Sequence, residues 1–460
     1  MRKRGNILLP QRWSERQFKV SSLAKFRLFC SVGLFGTALF NVIGLLSWHH
    51  RSIVELPKTP YWLLENFTQR NDTNESNARS NSTYTVPNGT SSQAEVLQDL
   101  VEQYSTNPKR YVSSCLLIRD DNELLNEWIA YHYHTLKLRY ILVAVDPDSV
   151  TSPNHIFDRW ENLTEVKIVR WSDNDFMPEH FLRNGYAIPL HEINGNATES
   201  KWHEGHEDEE QVKKDLQRIN NHRYRQLSFL SACYRHMRDR KKSWVIHIDT
   251  DEYLTINPVL RKFGKLGRVP VPQDLRPPTV LYRFLMEIRL RPRLKRLVNF
   301  PCISLPRLLF GSVVTDTFRT VRHTFQEEKF ETLRWKYHTA YNDRGRNGLQ
   351  KVIFDVSRAP EDDEMFQNKT FSIHRPSLQM CRYVDQMNFF ETEHFPLTVN
   401  HFLGSWERYN ARNDTRRRKF VYDAKAFVKD GRDDWATSWI DGFLNNTDPK
   451  IAQELLQDYI

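Results

Sequence analysis

The stretch YVSSCLLIRDDNELLNEWIAYHYHTLKLRYILVAVD, residues 111–146, decides the fold of this chain. It begins with one short apolar run and ends in a second, and such runs are typical of buried strands. Between them, Asp120 and Glu123 resemble a helix-capping box. Apolar residues then recur at helical spacing, at Leu124, Leu125, Trp128 and Ile129. The stretch therefore predicts a strand, a helix and a second strand.

The same alternation continues toward the middle of the chain. Residues 165–171 (EVKIVRW) predict a third strand, and residues 207–241 predict a helix with an interruption near Asn220 and Asn221. The segment SWVIHIDTDEYL, residues 243–254, predicts a fourth strand. Strands that alternate with helices favour an α/β domain with a Rossmann-like, mostly parallel sheet flanked by helices. In such sheets ligands bind at the carboxyl ends of the strands.

The fourth predicted strand ends in three carboxylates, Asp249, Asp251 and Glu252. Carboxylates this close repel one another unless a cation lies between them. A hard divalent cation such as Mn²⁺ or Mg²⁺ accepts one or two carboxylates and keeps positions for phosphate oxygens and water. It could neutralise the diphosphate leaving group of a nucleotide sugar. The alternative is a solvated strand end, because an isolated D-x-D pattern is common.

The amino-terminal part predicts a membrane anchor. Residues 1–27 hold eight Lys/Arg and one acid, and they account for +7 of the net charge of +9. Residues 28–48 are 21 residues without a charge, enough for a helix of ~31 Å that spans a bilayer. A cleaved signal peptide and a buried core helix are the alternatives. We expect a cytoplasmic tail (1–27), a signal-anchor helix (28–48) and a lumenal remainder.

The lumenal remainder is near neutral in charge, and its basic run at residues 416–419 is typical of a solvated face. Both observations argue against a nucleic-acid partner.

Glycosylation sequons agree with this topology, since all follow the apolar segment. The sequons are at Asn66, Asn71, Asn74, Asn81, Asn88, Asn162, Asn196, Asn368, Asn413 and Asn445. Five lie close together in a Ser/Thr/Asn-rich stretch, so residues 49–108 are predicted to be a glycosylated stem and residues 109–460 the catalytic domain.

Four cysteines follow the apolar segment: Cys115, Cys233, Cys302 and Cys381. They could form up to two disulfides in an oxidising lumen, with three possible pairings, or remain buried thiols.

Several blocks together resemble glycosyltransferase family 92 and related family 2-like transferases of the GT-A fold. The first block is CLLIRDDNELLNEWIAYHYHTLKLRYILVAVDPDS, and the second is RQLSFLSACYRHMRDRKKSWVIHIDTDEYL. Three shorter blocks, GLQKVIFDVSR, FSIHRPS and VNHFLGSWERY, follow. The resemblance implies a Golgi or ER type II membrane enzyme. It would transfer a hexosyl group from a nucleotide-sugar donor to a glycan or glycoconjugate acceptor, with inversion.

Carried over residue by residue, the resemblance implies that Asp249 and Asp251 hold the metal and that His374 is a further metal ligand. It places five residues beside the donor: Arg119, Asp146, Glu252, Lys351 and His401. Five of these residues have a simpler alternative: a solvated turn for Arg119, a turn cap for Asp146, structural histidines for His374 and His401, and an edge-strand lysine for Lys351. Inversion requires a general base. Asp343, Glu391 and Glu393 are possible, and the base stays unassigned.

Two other classes of protein remain open. A lumenal glycoside hydrolase would also use paired carboxylates, but it needs them on opposite sides of a sugar rather than crowded at one point. A catalytically inactive, lectin-like ectodomain could share the fold. The chain lacks a Walker-type phosphate loop, a G-x-G-x-x-G turn after a strand and a G-x-S-x-G elbow. Their absence argues against a P-loop ATPase, a standard dinucleotide enzyme and a typical α/β-hydrolase.

Overall fold

The structure, a computed structural model, describes the chain in a series of segments. They are residues 93–107, 110–179, 181, 209–291, 294, 300–314, 320–321, 324–360, 374, 381, 395–411 and 419–460. All of them belong to one unit, Gly89–Ile460. The predicted tail and membrane span (1–48) lie outside the described residues. Of the helices that are described, none is both long enough and apolar enough to cross a bilayer.

The secondary structure alternates between strands and helices as far as residue 247 and is more irregular beyond it. The strands are β1 (Val112–Ile118), β2 (Leu138–Val145), β3 (Lys167–Trp171), β4 (Trp244–His247), β5 (Glu252–Ile256), β6 (Lys265–Leu266), β7 (Val269–Pro270), β8 (Cys302–Leu305), β9 (Arg307–Phe310), β10 (Thr320–Val321), β11 (Phe325–Gln326), β12 (Tyr337–His338), β13 (Lys351–Asp355), β14 (Leu397–Phe402) and β15 (Gly431–Arg432). The helices are α1 (Gln93–Thr106), α2 (Asn122–Leu136), α3 (Asn154–Leu163), α4 (Glu209–Asp239), α5 (Pro258–Phe263), α6 (Val280–Leu290), α7 (Glu331–Arg334), α8 (Arg344–Asn347), α9 (Trp406–Ala411), α10 (Lys419–Ala426), α11 (Trp439–Asn446) and α12 (Pro449–Leu455).

The main sheet has six strands in the order β3-β2-β1-β4-β13-β8. Its first four strands are parallel, since β1 pairs in parallel with β2 and β4, and β2 pairs in parallel with β3. Strand β13 is antiparallel to both of its neighbours, β4 and β8. The predicted α/β class is therefore confirmed, with a mixed sheet whose parallel part has the strand order of a Rossmann-like fold.

Both faces of this sheet are buried in separate apolar clusters. Leu116 and Ile246 point to the cluster that includes α2 and α3. Their neighbours Cys115 and Val245 point to the cluster that includes α4. Successive side chains of a strand alternate between faces, so a sheet covered on both sides needs apolar residues at nearly every position. This explains the near-continuous apolar runs that predicted the strands.

A second sheet has the order β15-β12-β9-β14-β5, and it corrects the prediction of one strand over residues 243–254. The structure has two strands there, β4 in the main sheet and β5 at the edge of the second. Residues 248–251 form the turn between them, in which the Glu252 amide donates to the Asp249 carbonyl oxygen at 3.1 Å. Apolar periodicity could not reveal this change of sheet, because both strands are buried.

The interruption predicted near Asn220 and Asn221 is also wrong, because α4 continues through both residues. The Gln217 side-chain amide donates to the Asn221 side-chain oxygen one turn further along, at 2.8 Å. Such a pair supports a helix at positions where isolated asparagines weaken it.

Two disulfides pair the four cysteines after residue 100. Cys115 of β1 is bonded to Cys233 of α4, and Cys302 of β8 is bonded to Cys381. The structure thus selects one of the three pairings that the sequence left open, and it excludes the alternative that these cysteines are buried free thiols. The first disulfide ties the main sheet to the helix that covers one of its faces.

Helix α1 lies inside the segment predicted as stem (49–108), yet it packs against α6. Val101 is buried, and a Glu102 side-chain oxygen lies 3.4 Å from an Arg283 guanidinium nitrogen. The folded unit thus includes residues from the carboxyl end of that segment.

Candidate active site

A cleft of about 450 Å³ opens at the carboxyl ends of the parallel strands. The chain passes from β1 to β2 and β3 on one side, and then α4 leads to β4 on the other side of β1. Between β1 and β4 the strand order reverses, and ligands of such sheets bind at this switch point. The cleft is lined by Leu117, Ile118, Arg119, Asp121, Asp146, His222, Gln226, Asp249, Thr250, Asp251, Arg307, His401, Leu403, Tyr409, Val421 and Lys425.

The predicted acidic cluster lies in the turn that follows β4. Each of Asp249, Asp251 and Glu252 offers an oxygen, and these three atoms lie within 4.8 Å of one another. The Asp249 side chain is 56% exposed and that of Asp251 17%, whereas that of Glu252 is fully buried. A Glu252 oxygen accepts the Asp249 amide at 2.8 Å. The first two carboxylates thus face the cleft, and the third holds the turn from below.

Side chains of α2 fix the strand that follows this turn. Strand β5 is at the edge of the second sheet, so one row of its backbone groups has no strand partner. The Trp128 indole N–H donates to the Glu252 carbonyl oxygen at 3.0 Å, and the Tyr131 hydroxyl donates to the Leu254 carbonyl oxygen at 2.7 Å. The Leu254 amide donates to His132 Nε2 at 3.2 Å. These bonds replace a neighbouring strand and set the position of the acidic turn.

Two basic side chains lie beneath the acidic cluster. Lys351 Nζ is 2.9 Å from Asp249 Oδ2 and 3.4 Å from Glu252 Oε2. Arg307 Nε is 2.8 Å from Glu252 Oε1. Lys351 is buried at the start of β13, and the alternative of an edge-strand lysine does not apply because β13 lies between β4 and β8. The floor of the cleft is therefore a network of alternating charges.

The pKa values in this network reflect burial and the neighbouring charges. Desolvation disfavours the charged form of Asp249, but Lys351 and Arg307 outweigh it and hold its pKa well below the usual range. Burial raises the pKa of Glu252, with the same two cations acting in the opposite direction. Burial disfavours the charge on Lys351, yet Asp249 and Glu252 raise its pKa above the usual value. Asp249 is thus a carboxylate and Lys351 an ammonium at neutral pH.

His401 of β14 presents a defined tautomer to the cleft. Its Nδ1 lies 2.9 Å from an Arg307 guanidinium nitrogen, and its Nε2 lies 3.9 Å from Asp251 Oδ2. A guanidinium only donates, so Nδ1 accepts and the proton of the neutral ring is on Nε2. Burial, followed by the charge of Arg307, lowers the pKa of His401 to about 3. His401 therefore suits hydrogen-bond donation to a bound group better than metal ligation.

Asp146 follows β2 and belongs to a buried ion-pair group. Its Oδ2 lies 2.6 Å from Arg225 Nη1, and Arg225 Nη2 lies 2.6 Å from Asp173 Oδ1. Burial disfavours the charged form of Asp146, but His222 and Arg225 outweigh it, so its pKa is well below the usual range. Asp146 Oδ1 also accepts the Asp148 amide at 2.9 Å. Asp146 therefore caps the turn that follows β2, and it also lines the cleft.

Arg119 lines the cleft, whereas His374 is not among its lining residues. Arg119 follows β1, lines the cleft, and has a guanidinium nitrogen 3.5 Å from Asp148 Oδ2. Burial and the charge of Lys351 lower the pKa of His374 to about 3, so its ring is neutral near the cleft floor. His374 does not belong to the group of side chains whose ligand atoms lie within 4.8 Å of one another.

The cleft contains polar residues that the sequence did not single out. His222 and Gln226 lie one turn apart on α4, where the periodicity drew attention to the apolar face only. Arg307 starts β9, in a spacer without resemblance to the family pattern. Gly348, at φ +73°, leaves room for the Arg307 side chain, because a Cβ on residue 348 would lie 3.2 Å from an Arg307 guanidinium nitrogen. Such spatial relations have no signal in one sequence. The additional residues are His222, Gln226, Arg307, Tyr409 and Lys425.

The donor set of the turn fits a hard divalent cation. Asp249 and Asp251 face the cleft and supply carboxylate oxygens, the ligand type that Mn²⁺ and Mg²⁺ prefer. Glu252 is paired with Lys351 and Arg307 and accepts a hydrogen bond from the Asp249 backbone amide. It is therefore better placed to orient the turn than to bind a metal ion. The residues present thus fit a cation held by two carboxylates, with positions left for ligand oxygens and water.

Other predicted residues lie away from the cleft or outside the described part of the chain. Asp343 caps α8, accepts the Arg346 amide at 2.9 Å and does not line the cleft. Glu391 and Glu393 lie outside the described residues. Of the sequons, Asn162 and Asn445 are described and both are exposed, as a glycan requires. The remaining sequons lie outside the described residues.

Comparison with known protein families, with curated proteins and with solved structures found no match to this chain. The resemblance to family 92 therefore rests on the sequence blocks alone, and the case for a function rests on the geometry of the cleft.

Proposed function

We propose that this protein is a metal-dependent glycosyltransferase that moves a hexosyl group from a nucleotide-sugar donor to a glycan or glycoconjugate acceptor. The observation that carries the proposal is the position of Asp249 and Asp251. They face a cleft at the switch point of a Rossmann-like sheet, beside the buried Lys351 and the partly buried Arg307. Fold alone does not define an activity, so the proposal rests on this arrangement of charges.

Asp249 and Asp251 would hold the Mn²⁺ or Mg²⁺ ion. When bound, the ion would supply positive charge to the diphosphate leaving group as the glycosidic bond breaks. The cleft-facing oxygens of these two residues and the low pKa of Asp249 support this assignment, because a metal ligand must be deprotonated at working pH. His374 remains a proposed further ligand, supported by its neutral ring near the cleft floor.

Basic and donor groups around the cluster suit a diphosphate. Lys351 and Arg307 place positive charge below the cleft, and Lys425 lines its wall. His401 would donate from Nε2 to a phosphate or sugar oxygen. Such groups are held by the fold before the substrate arrives, which is how electrostatic stabilisation of a leaving group avoids a reorganisation cost.

The other end of the cleft suits the nucleoside. Arg119 and Asp146 follow β1 and β2, two adjacent parallel strands on one side of β4, and offer polar groups at the edge where nucleotides bind in such sheets. Asp146 already interacts with Arg225, His222 and the Asp148 amide. It can therefore accept a hydrogen bond from a ribose or base only through the oxygen lone pairs that these three groups leave free. Arg119 and His222 offer the donors on this side.

We also propose that the domain is lumenal, in the Golgi or ER. Its two disulfides persist in oxidising compartments, and its exposed sequons at Asn162 and Asn445 could be glycosylated there. The basic tail and apolar segment of residues 1–48 supply the anchor.

The proposed activity is tested with the detergent-solubilised full chain and a panel of nucleotide sugars. We expect one donor class to be hydrolysed slowly without an acceptor, with turnover lost in chelator and restored by Mn²⁺. Aryl glycosides without a nucleotide serve as the comparison. Cleavage of these in the presence of chelator, with every nucleotide sugar intact, would identify a glycoside hydrolase instead.

A further inference from the structure

A second cavity, of about 500 Å³, lies at the opposite edge of the main sheet. It is formed where Arg110 precedes β1, where residues 240–243 connect α4 to β4, and where α6 ends at Arg289 and Leu290. The active-site cleft lies at the other ends of the same strands. Strand β1 has seven residues, so about 20 Å separates the two sites. We call this second cavity the basic pocket.

The lining of the basic pocket is cationic at its rim. Five of its described lining residues carry positive side chains, and none of those described is acidic: the positive ones are Arg110, Arg240, Lys241, Lys242 and Arg289. Two carboxylates adjoin these cations without lining the pocket: Asp239, which is exposed and precedes Arg240 in the chain, and the buried Asp355, 3.1 Å from an Arg289 guanidinium nitrogen. A concave surface with one sign of charge concentrates ions of the opposite sign.

The floor of the basic pocket is apolar and aromatic. Trp244, Tyr282 and Met286 form it and are buried. The side chain of Lys242 lies against Tyr111, with Nζ 4.6 Å from the ring centroid and a hydrogen bond to the hydroxyl. Arg289 lies over the Trp244 ring at 5.1 Å. Lys242 and Arg289 are thus held in place against aromatic rings, whereas Arg110, Arg240 and Lys241 are exposed at the rim.

We propose that the basic pocket binds the sulfated part of an oligosaccharide. Sulfate groups would pair with the rim cations, and the apolar ring faces of a sugar would pack on the floor. A volume of about 500 Å³ is within the range of small-ligand sites and accommodates one or two sugar units. The site is distinct from the active-site cleft and does not rest on the activity proposed for that cleft, but the choice of ligand rests on the lumenal location proposed above.

The compartment favours this ligand over other polyanions. The domain has two disulfides, which persist in oxidising compartments, where sulfated glycans are the prevalent polyanions. Nucleic acid and the anionic cytoplasmic leaflet of membranes lie outside such compartments. The experiment below includes anionic vesicles as the membrane alternative.

The test measures binding of a fluorescent heparin-derived hexasaccharide to the detergent-solubilised full chain. The variant is the pair Arg240→Ser and Lys241→Asn; both residues are exposed, and asparagine tolerates the left-handed backbone of residue 241, at φ 55°. The matched control pair is Arg268→Ser and Lys265→Asn, which removes the same two exposed charges outside the basic pocket. The native chain and both variants contain the basic tail, so binding of the hexasaccharide to the tail is the same in all three.

We expect the pocket pair to weaken binding about tenfold, from two lost ion pairs, and the control pair to change it less than twofold. Hydrogen exchange should slow on binding at the backbone amides of residues 240–244. Equal weakening by both pairs, or no protection at these amides, would overturn the proposal. So would binding of anionic vesicles with no binding of the hexasaccharide, or equal binding of the hexasaccharide after its sulfates are removed.

Discussion

Replacement of Arg225 by methionine should destabilise the domain strongly. Arg225 is 5% exposed in its side chain and lies between two buried carboxylates, Asp146 and Asp173. It donates to both, at 2.6 Å in each case. Methionine fills much of the same volume but leaves the two carboxylates buried without their shared cation.

The magnitude follows from that geometry. Removal of one partner from a buried ion pair costs about 3–5 kcal/mol of unfolding free energy, because the remaining charge loses its compensation. Arg225 serves two carboxylates, so we expect the Arg225→Met change to fall at the upper end of this range. The matched control is Arg223→Met on the same helix. Arg223 is exposed, so its replacement should change stability by no more than about 0.5 kcal/mol.

The penalty should also depend on pH. The pKa of Asp146 in the folded protein is below its ordinary value of 3.8. Its contribution to stability is therefore present above that ordinary value and is lost as the pH falls through the lowered pKa. Without Arg225, Asp146 takes up a proton at higher pH than in the native chain, which relieves its unpaired charge. The destabilisation should thus be smaller at pH 5 than at pH 7.5.

The assay is urea unfolding of the detergent-solubilised protein with its disulfides intact, followed by tryptophan fluorescence at both pH values. A loss below 1 kcal/mol at pH 7.5, or a loss equal to that of Arg223→Met, would refute the inference that this ion-pair group supports the cleft wall.

Two further outcomes are expected. Replacement of Cys115 and Cys233 by alanine should lower the free energy of unfolding by about 2–5 kcal/mol, because the disulfide closes a loop of 118 residues; urea unfolding measures the loss, and an unchanged midpoint would contradict it. Protease added outside sealed microsomes should remove only the tail 1–27, and N-glycosidase should lower the mass in several steps, with Asn162→Gln and Asn445→Gln each removing one step. Digestion of the whole domain from outside, with no glycosidase shift, would contradict the lumenal topology.

The strand and helix pattern of the first half of the domain could be predicted from the sequence because local periodicity reports burial on both sheet faces. Residues 111–146 have apolar runs where β1 and β2 lie and a helical stripe where α2 lies. The second sheet could not be predicted in the same way. Two of its five strands, β12 and β15, have only two residues each, and they pair with each other across a long sequence separation. Short strands have too few residues to show a period.

The candidate site divides along the same line. Asp249 and Asp251 could be singled out because three carboxylates end a buried apolar run. Arg307 and His222 could not, since one cation on a short strand or a helix face has no distinguishing pattern. Their place in the cleft depends on contacts between elements distant in the chain, such as Arg307 with Glu252 and His401.

The central claim is that Asp249 and Asp251 hold a divalent cation against a diphosphate. Either Asp→Asn change removes a negative charge with little change in volume, so the fold should survive. Without a metal ion, Asp251→Asn should unfold at an equal or higher temperature, because fewer carboxylates repel one another. Asp249→Asn also loses the ion pair with Lys351 that holds the pKa of Asp249 low, so its unfolding temperature should fall. Asp158→Asn is the control, since Asp158 is an exposed carboxylate on α3 outside the cleft lining.

The decisive measurement is turnover and nucleotide affinity of Asp249→Asn and Asp251→Asn across a Mn²⁺ titration, with a melting curve for each protein. We predict a loss of turnover of at least about 100-fold in both variants, with weaker metal-dependent nucleotide binding and normal folding. Asp158→Asn should match the native chain. Near-native turnover that persists in chelator, in variants that fold normally, would contradict the metal assignment and the transfer mechanism proposed from it.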